Sequence, residues 1–309
     1  MAFIPSDKHI LVNYHYVRNP SADWGGIHPC PVAEFDRQIK FLSENYKIVS
    51  IPEVYTSARA NARERVCAIT FDDGLRDQYE NAAPILKKYG AVVIFFVITR
   101  TLSGEVPDAH KMHIVNSKMG VMALIDAFNV FLANTHPNFL EQFKIPKDRR
   151  ITELRKYDDI PNANFKETMT NVPAEIRNSF LDKIFSDLGL NERKISREMF
   201  VSIEELRDLK RRGFEVGFHT HRHTSLEVET IESVRKDAAA GRALLRVAAP
   251  DMNVVSYPYG RSNDAARAAL IEAGFAYGVT TERRGMTGLD DAMKIPRYDA
   301  NDVRDYLNK

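Results

Sequence analysis

Short apolar runs rich in β-branched and aromatic residues recur along the chain, at residues 10–13, 66–71, 92–97, 214–218, 254–257 and 275–280. Several are nearly continuous, the pattern expected of parallel strands covered on both faces. Helical periodicity fills the intervals: Phe35, Ile39 and Leu42 repeat on one face, as do Ile203, Leu206 and Leu209. Gly90, Gly213 and Gly274 each stand between a helical stretch and the next strand, where helix-ending glycines belong. Strand and helix in alternation predict an α/β protein with a parallel sheet or barrel. Residues 99–197 interrupt the rhythm. They hold no convincing strand, but helical patterns lie near 121–132 and 175–188. A structureless loop of that length does not suit a compact domain. The expectation is one domain over 1–309 with a largely helical insertion, 99–197, serving as a cap or subdomain.

Composition narrows the class. The 309 residues are 44% hydrophobic and 28% charged, as in globular proteins rather than disordered or fibrous ones. A net charge of +1 gives no basic field for nucleic acid. The longest apolar run, residues 91–98, is far short of the roughly 20 residues a membrane span needs. Asp7, Lys8 and His9 stand where a signal peptide would place its apolar stretch. Cys30 and Cys67 make no disulfide framework and fit a reducing compartment. A cytoplasmic protein without a membrane span is the resulting expectation.

Three clusters could carry chemistry. In ITFDDGLRD, Asp72 and Asp73 end a β run, and Gly74 opens the turn. Adjacent strand residues point to opposite faces, but a glycine turn can re-aim one carboxylate so that both line one pocket. The alternative is an Asp-rich turn capping the next helix. In GFHTHRHTSL, His219 and His223 would share a face on a helical turn, whereas an extended segment would align His219, His221 and His223. Either arrangement could grip a metal; incidental histidines in a polar loop are the remaining alternative. In VVSYPYGRSND, Pro258 and Gly260 shape a turn that could present the Tyr259 backbone N–H to an anion. All three clusters, and His15 in NYHYV, follow predicted parallel strands, where the sites of such folds gather. Carboxylates and histidines on one rim describe a metal-assisted hydrolase.

The sequence resembles the polysaccharide deacetylases, carbohydrate esterase family four. The T-F-D-D-G motif is complete at Thr70 to Gly74, and H-[ST]-x-x-H matches His219, Thr220 and His223. The family's Arg-preceded P-[YF]-G turn is matched only in part by Ser256, Tyr257, Pro258, Tyr259 and Gly260. The similarity covers about residues 9–100 and 198–300. It implies a distorted (β/α) barrel of about seven parallel strands. It also implies a divalent metal, zinc, held by Asp73, His219 and His223, with Asp72 as the general base toward a metal-activated water. The metal and the Tyr259 N–H would hold the oxyanion. The implied activity is removal of an N-acetyl group from a sugar or glycoconjugate intermediate. Nucleotide- or lipid-linked sugars of surface polysaccharide assembly are examples. Hydrolysis of another C–N bond, in a formamide or a cyclic amide, and non-catalytic carbohydrate binding are the alternatives.

Two departures from the family pattern direct attention elsewhere. Ser256 stands where the family has its arginine, and Arg297, in KIPRYD, is the candidate replacement for that charge. The late Leu-x-His motif that protonates the leaving amine is missing, since no histidine follows His223. His110 and His113 at the start of the insertion, His15 and His28 are the candidates for the acid. In the expected arrangement the insertion folds over the rim and brings His110 or His113 to the leaving nitrogen.

Overall fold

In the computed structural model, described over residues 6–21, 27–153, 155 and 158–308, the chain divides into two compact units. One comprises Met1–Asn19, Pro29–Glu105 and Ser196–Lys309, the other Pro20–His28 and Val106–Ile195.

The first unit is built on eight parallel strands: β1 (His9–Tyr14), β2 (Lys47–Ile48), β3 (Val66–Phe71), β4 (Ile94–Val97), β5 (Glu215–Phe218), β6 (Val254–Ser256), β7 (Tyr277–Val279) and β8 (Tyr298–Asp299). Seven follow the order β7-β6-β5-β4-β3-β1-β8, and β2 pairs with β3 beside this path. The short segment before β8 closes the curve. Ile295 makes a parallel bridge to Val279, its N–H donating to the Gly278 carbonyl at 2.8 Å, while Tyr298 pairs with Val12 of β1. The result is a distorted (β/α) barrel.

Alternation along the strands sorts their residues into two layers. Ile10, Val12 and Tyr14 of β1, Cys67, Ile69 and Phe71 of β3, and Phe95 and Val97 of β4 belong to the large core shared with helices such as Val32–Asn45 and Ile203–Arg211. Leu11, Ala68, Ile94, Phe96, Val254, Val279 and Ile295 form a separate inner cluster, joined by Ile51, Val54 and Ala58 of helix Ile51–Arg59. Gly217 on β5 makes room in that layer, because a Cβ there would lie 2.5 Å from the Phe96 ring. The same alternation gives Asn13, Thr70, Asp72 and Ser256 the parity of the inner row, at its C-terminal end.

The second unit is helical, with Asp108–Met119, Val121–Thr135, Ile160–Asn171 and Ala174–Asp187 as its long elements. Leu124, Ile125, Phe128, Phe131 and Phe180 are buried, and the Phe128 and Phe180 rings meet edge-on at 5.1 Å. Its limits differ from the expected 99–197. Residues 99–105 belong to the barrel unit, since the Thr99 and Arg100 amides donate to the Thr220 and His221 carbonyls at 3.2 Å. Ser196 joins them through its hydroxyl, which donates to the Thr101 carbonyl at 3.1 Å. Among the described residues no single helix is long and apolar enough to cross a membrane. Asp108–Met119 and Val121–Thr135 reach that length only together, across a 114° bend.

Candidate active site and metal centre

Strand β3 delivers Asp72 with inner-row parity, and simple alternation would turn Asp73 away. The backbone prevents this at Asp73 itself. Its φ of 79°, followed by 66° at Gly74, swings the chain so that Asp73 faces the histidines after β5. Asp73 Oδ1 lies 3.3 Å from His219 Nε2 and 3.5 Å from His223 Nε2. One donor atom from each of these three residues falls within 4.8 Å of the others. The His219 Nδ1 is 2.8 Å from the Ser256 carbonyl, which makes Nδ1 the protonated nitrogen and leaves the Nε2 lone pair toward Asp73. One carboxylate and two imidazoles, nearly buried, are a donor set suited to a transition-metal ion such as zinc.

The histidine segment is neither the helical turn nor the extended strand considered from sequence. It is a bend in which Thr220 (φ 61°) and His223 (φ 58°) are left-handed. His221 stands apart from the group, its Nδ1 3.0 Å from the Thr99 hydroxyl.

Asp72 has different company. Arg297 grips it with both guanidinium nitrogens, Nη1 to Oδ1 at 3.0 Å and Nη2 to Oδ2 at 2.8 Å. Asn13 donates to Oδ2 at 3.0 Å, and the Ser256 hydroxyl accepts from Arg297 Nη2 at 3.0 Å. Arg297 Nη1 also reaches the oxygens of Asn13 and Thr70, at 2.8 and 3.1 Å. The pair is almost wholly buried, Asp72 at 2% and Arg297 at 1% exposure. Burial by itself would raise the Asp72 pKa. The Arg297 charge, with help from His219, outweighs it and holds the carboxyl well below the usual range. For His219, burial favours the neutral ring, but Asp72 and Asp73 prevail and raise its pKa.

His15, just past β1, places Nε2 4.0 Å from Asp72 Oδ2, with its side chain 44% exposed. Tyr259 sits left-handed (φ 59°) in the turn Pro258–Gly260, its ring 5.3 Å from that of His223. The other histidine candidates lie in the second unit. His110 and His113 occupy helix Asp108–Met119 with rings 5.8 Å apart, His110 being buried, and His28 Nε2 is 3.0 Å from Asp158.

Sequence reasoning passed over Asn13 and Gln78. Asn13 is a polar residue directly after the apolar run Ile10, Leu11 and Val12 of β1, with the same parity as Asp72, a signal alternation could have supplied. Gln78 is fully buried in a π-helical turn, Gln78–Ala82, and its amide donates to the carbonyls of Asp72 (2.6 Å) and His15 (3.0 Å). Nothing in the local sequence marks it.

Comparison with known proteins adds an independent line. The polysaccharide deacetylase family profile matches residues 59–125 and 189–278. YxkH of Bacillus subtilis (strain 168) is 33% identical over 96 residues, 30% of this chain and 32% of that protein. The poly-β-1,6-N-acetyl-D-glucosamine N-deacetylase of Staphylococcus aureus is 28% identical over 149 residues, 45% of this chain and 51% of the relative. The matched regions thus span about half the length of these curated relatives, or less. Two solved structures share the fold over nearly their whole length. The Streptococcus pyogenes deacetylase PplD, in complex with acetate, has a TM-score of 0.60 at 16% identity, covering 96% of each chain. IcaB from Ammonifex degensii has a TM-score of 0.59 at 16% identity, covering 98% of each.

Proposed function

Because this chain belongs to the polysaccharide deacetylase family, we propose that it is a metal-dependent N-deacetylase acting on N-acetylglucosamine units of a glycan or glycoconjugate. The observation that carries this reading is the division of labour between adjacent carboxylates. Asp73 is turned toward two imidazoles, while Asp72 is tied to a guanidinium.

In this reading Asp73, His219 and His223 hold a divalent ion, zinc by its preference for such donors. When bound, that ion supplies Lewis acidity that makes water nucleophilic near neutral pH. Asp72 takes the proton from the attacking water. Three of its roughly four acceptor positions are engaged by Arg297 and Asn13, so one stays open for that proton. Arg297 keeps Asp72 ionised in a buried setting and fixes its direction. The Tyr259 backbone N–H donates to the oxygen on which negative charge develops. An amine leaves only if protonated, and we assign that proton to His15 rather than to His110 or His113. His15 shares the rim with Asp72 and is open to incoming substrate.

The test is acetate release from poly-β-1,6-N-acetylglucosamine oligomers and from nucleotide-linked N-acetylglucosamine, with metal-loaded and chelated protein. Metal-dependent acetate release supports the reading. Release of formate instead, or acetate release indifferent to chelator, would refute it.

A further inference from the structure

The two histidines of the proposed metal centre sit four residues apart on a bend that contains two left-handed non-glycine residues. Such a conformation persists only where its surroundings over-determine it. On one side, the Thr99 and Arg100 amides hold the Thr220 and His221 carbonyls. Within the bend, the Thr220 hydroxyl accepts from the His223 N–H at 2.9 Å. Two of the three amides between the histidines go to a single carboxylate. Asp237, only 4% exposed, accepts from the His221 N–H at 2.6 Å on Oδ2 and from the Arg222 N–H at 3.1 Å on Oδ1.

Asp237 reaches the bend because its helix, Ile231–Leu245, is pressed onto the end of β5. Gly241, one turn further along the same face, permits this approach: a Cβ there would lie 2.1 Å from the Phe218 ring, next to His219. The Arg222 side chain completes the arrangement, its Nε donating to Asp237 Oδ1 at 3.2 Å and its Nη2 to Glu229 at 3.1 Å. A carboxylate accepting two successive amides sets the path of the chain between His219 and His223.

We propose that Asp237 is a positioning residue for the metal centre, holding the His219-to-His223 bend at the spacing a divalent ion requires without touching the ion. The inference rests on the assignment of Asp73, His219 and His223 as the ligands. Zinc affinity, measured by competition with a chromophoric chelator, tests it in the full chain without any sugar substrate. Asp237→Asn keeps the size of the side chain but replaces one acceptor with a donor. It should weaken zinc binding about 10- to 100-fold, the range typical of groups that orient ligands, while the metal-free protein still unfolds cooperatively, melting below the wild type only by what one unpaired buried amide costs. Arg222→Ala removes the side-chain contact but leaves both amides on Asp237, and should bind zinc within about threefold of wild type. Unchanged zinc affinity in Asp237→Asn overturns the proposal and leaves the metal assignment standing. So does an affinity loss in Arg222→Ala equal to that in Asp237→Asn. A wild-type chain that fails to bind zinc overturns both.

Discussion

At the scale of single residues, the site turns on the different fates of Asp72 and Asp73. Asp72→Asn should lower turnover by about 10²–10⁴-fold, the range for a general base, and leave zinc affinity nearly unchanged. Asp73→Ala should weaken zinc binding itself, and parallel zinc titrations of the two variants check the division. Arg297→Met leaves Asp72 buried without its counter-charge. Removing one partner of a buried pair costs about 3–5 kcal/mol, visible in urea melts. The pH behaviour has a definite sign. The folded Asp72 pKa is depressed, so its stabilisation is full above the ordinary carboxylate value and is lost as pH falls through the lower folded value. In Arg297→Met that protection disappears, and the acid limb of the kcat/KM profile should move to higher pH. The raised His219 pKa works on metal binding: protons compete more strongly as pH falls, so apparent zinc affinity should begin to drop at a higher pH than an ordinary histidine would dictate. That Asp73, His219 and His223 come together, and that Arg297 meets Asp72, was legible because motif spacing and charge survive in one dimension. Gln78 and Asp237 act through contacts 6 and 16 residues away and carried no local mark, whereas Asn13, 59 residues from Asp72, was marked only by its parity along β1.

Among elements, the strands announced themselves through apolar runs, and the glycines at the helix ends mark real left-handed turns at Gly90, Gly213 and Gly274. Strand β2, two residues long, was too short for any periodicity to register. The bend after β5 escaped both regular readings because its shape comes from tertiary hydrogen bonds rather than from propensity. Gln78 shows how elements are joined at the rim. Register pairing between β1 and β3 ends at Tyr14 and Phe71, and beyond it the Gln78 amide ties the two chains through the His15 and Asp72 carbonyls. Gln78→Ala should therefore destabilise the fold by about 1–3 kcal/mol, the cost of leaving the buried Asp72 carbonyl without this donor. It should also reduce kcat more than it raises KM, because both carbonyls belong to proposed catalytic residues. Urea unfolding and steady-state kinetics on the same preparation measure the two effects.

For the whole molecule, barrel class and helical interruption followed from the order of patterns, but the limits of the second unit did not. The chain re-enters the barrel unit through tertiary hydrogen bonds of residues 99–105 and 196, invisible to periodicity. Since the proposed ligands all belong to the barrel unit, chelation should raise amide exchange at residues 219–223 and the end of β3. Helix Val121–Thr135 of the other unit should be unaffected, which hydrogen-exchange mass spectrometry resolves.

Arg297 lies 225 residues beyond its partner Asp72. During synthesis, the motif that names the family leaves the ribosome long before the guanidinium that neutralises it. At roughly 5–20 residues per second, that interval is on the order of tens of seconds. Until it ends, Asp72 has either to stay hydrated or to take up a proton, and a nascent barrel cannot seal around it as an ion. In the proposed mechanism, catalytic competence therefore cannot arise before Arg297 has been synthesised and has met Asp72. An arrested chain ending before Arg297 would carry all three proposed metal ligands and still lack the charge that keeps the proposed base ionised.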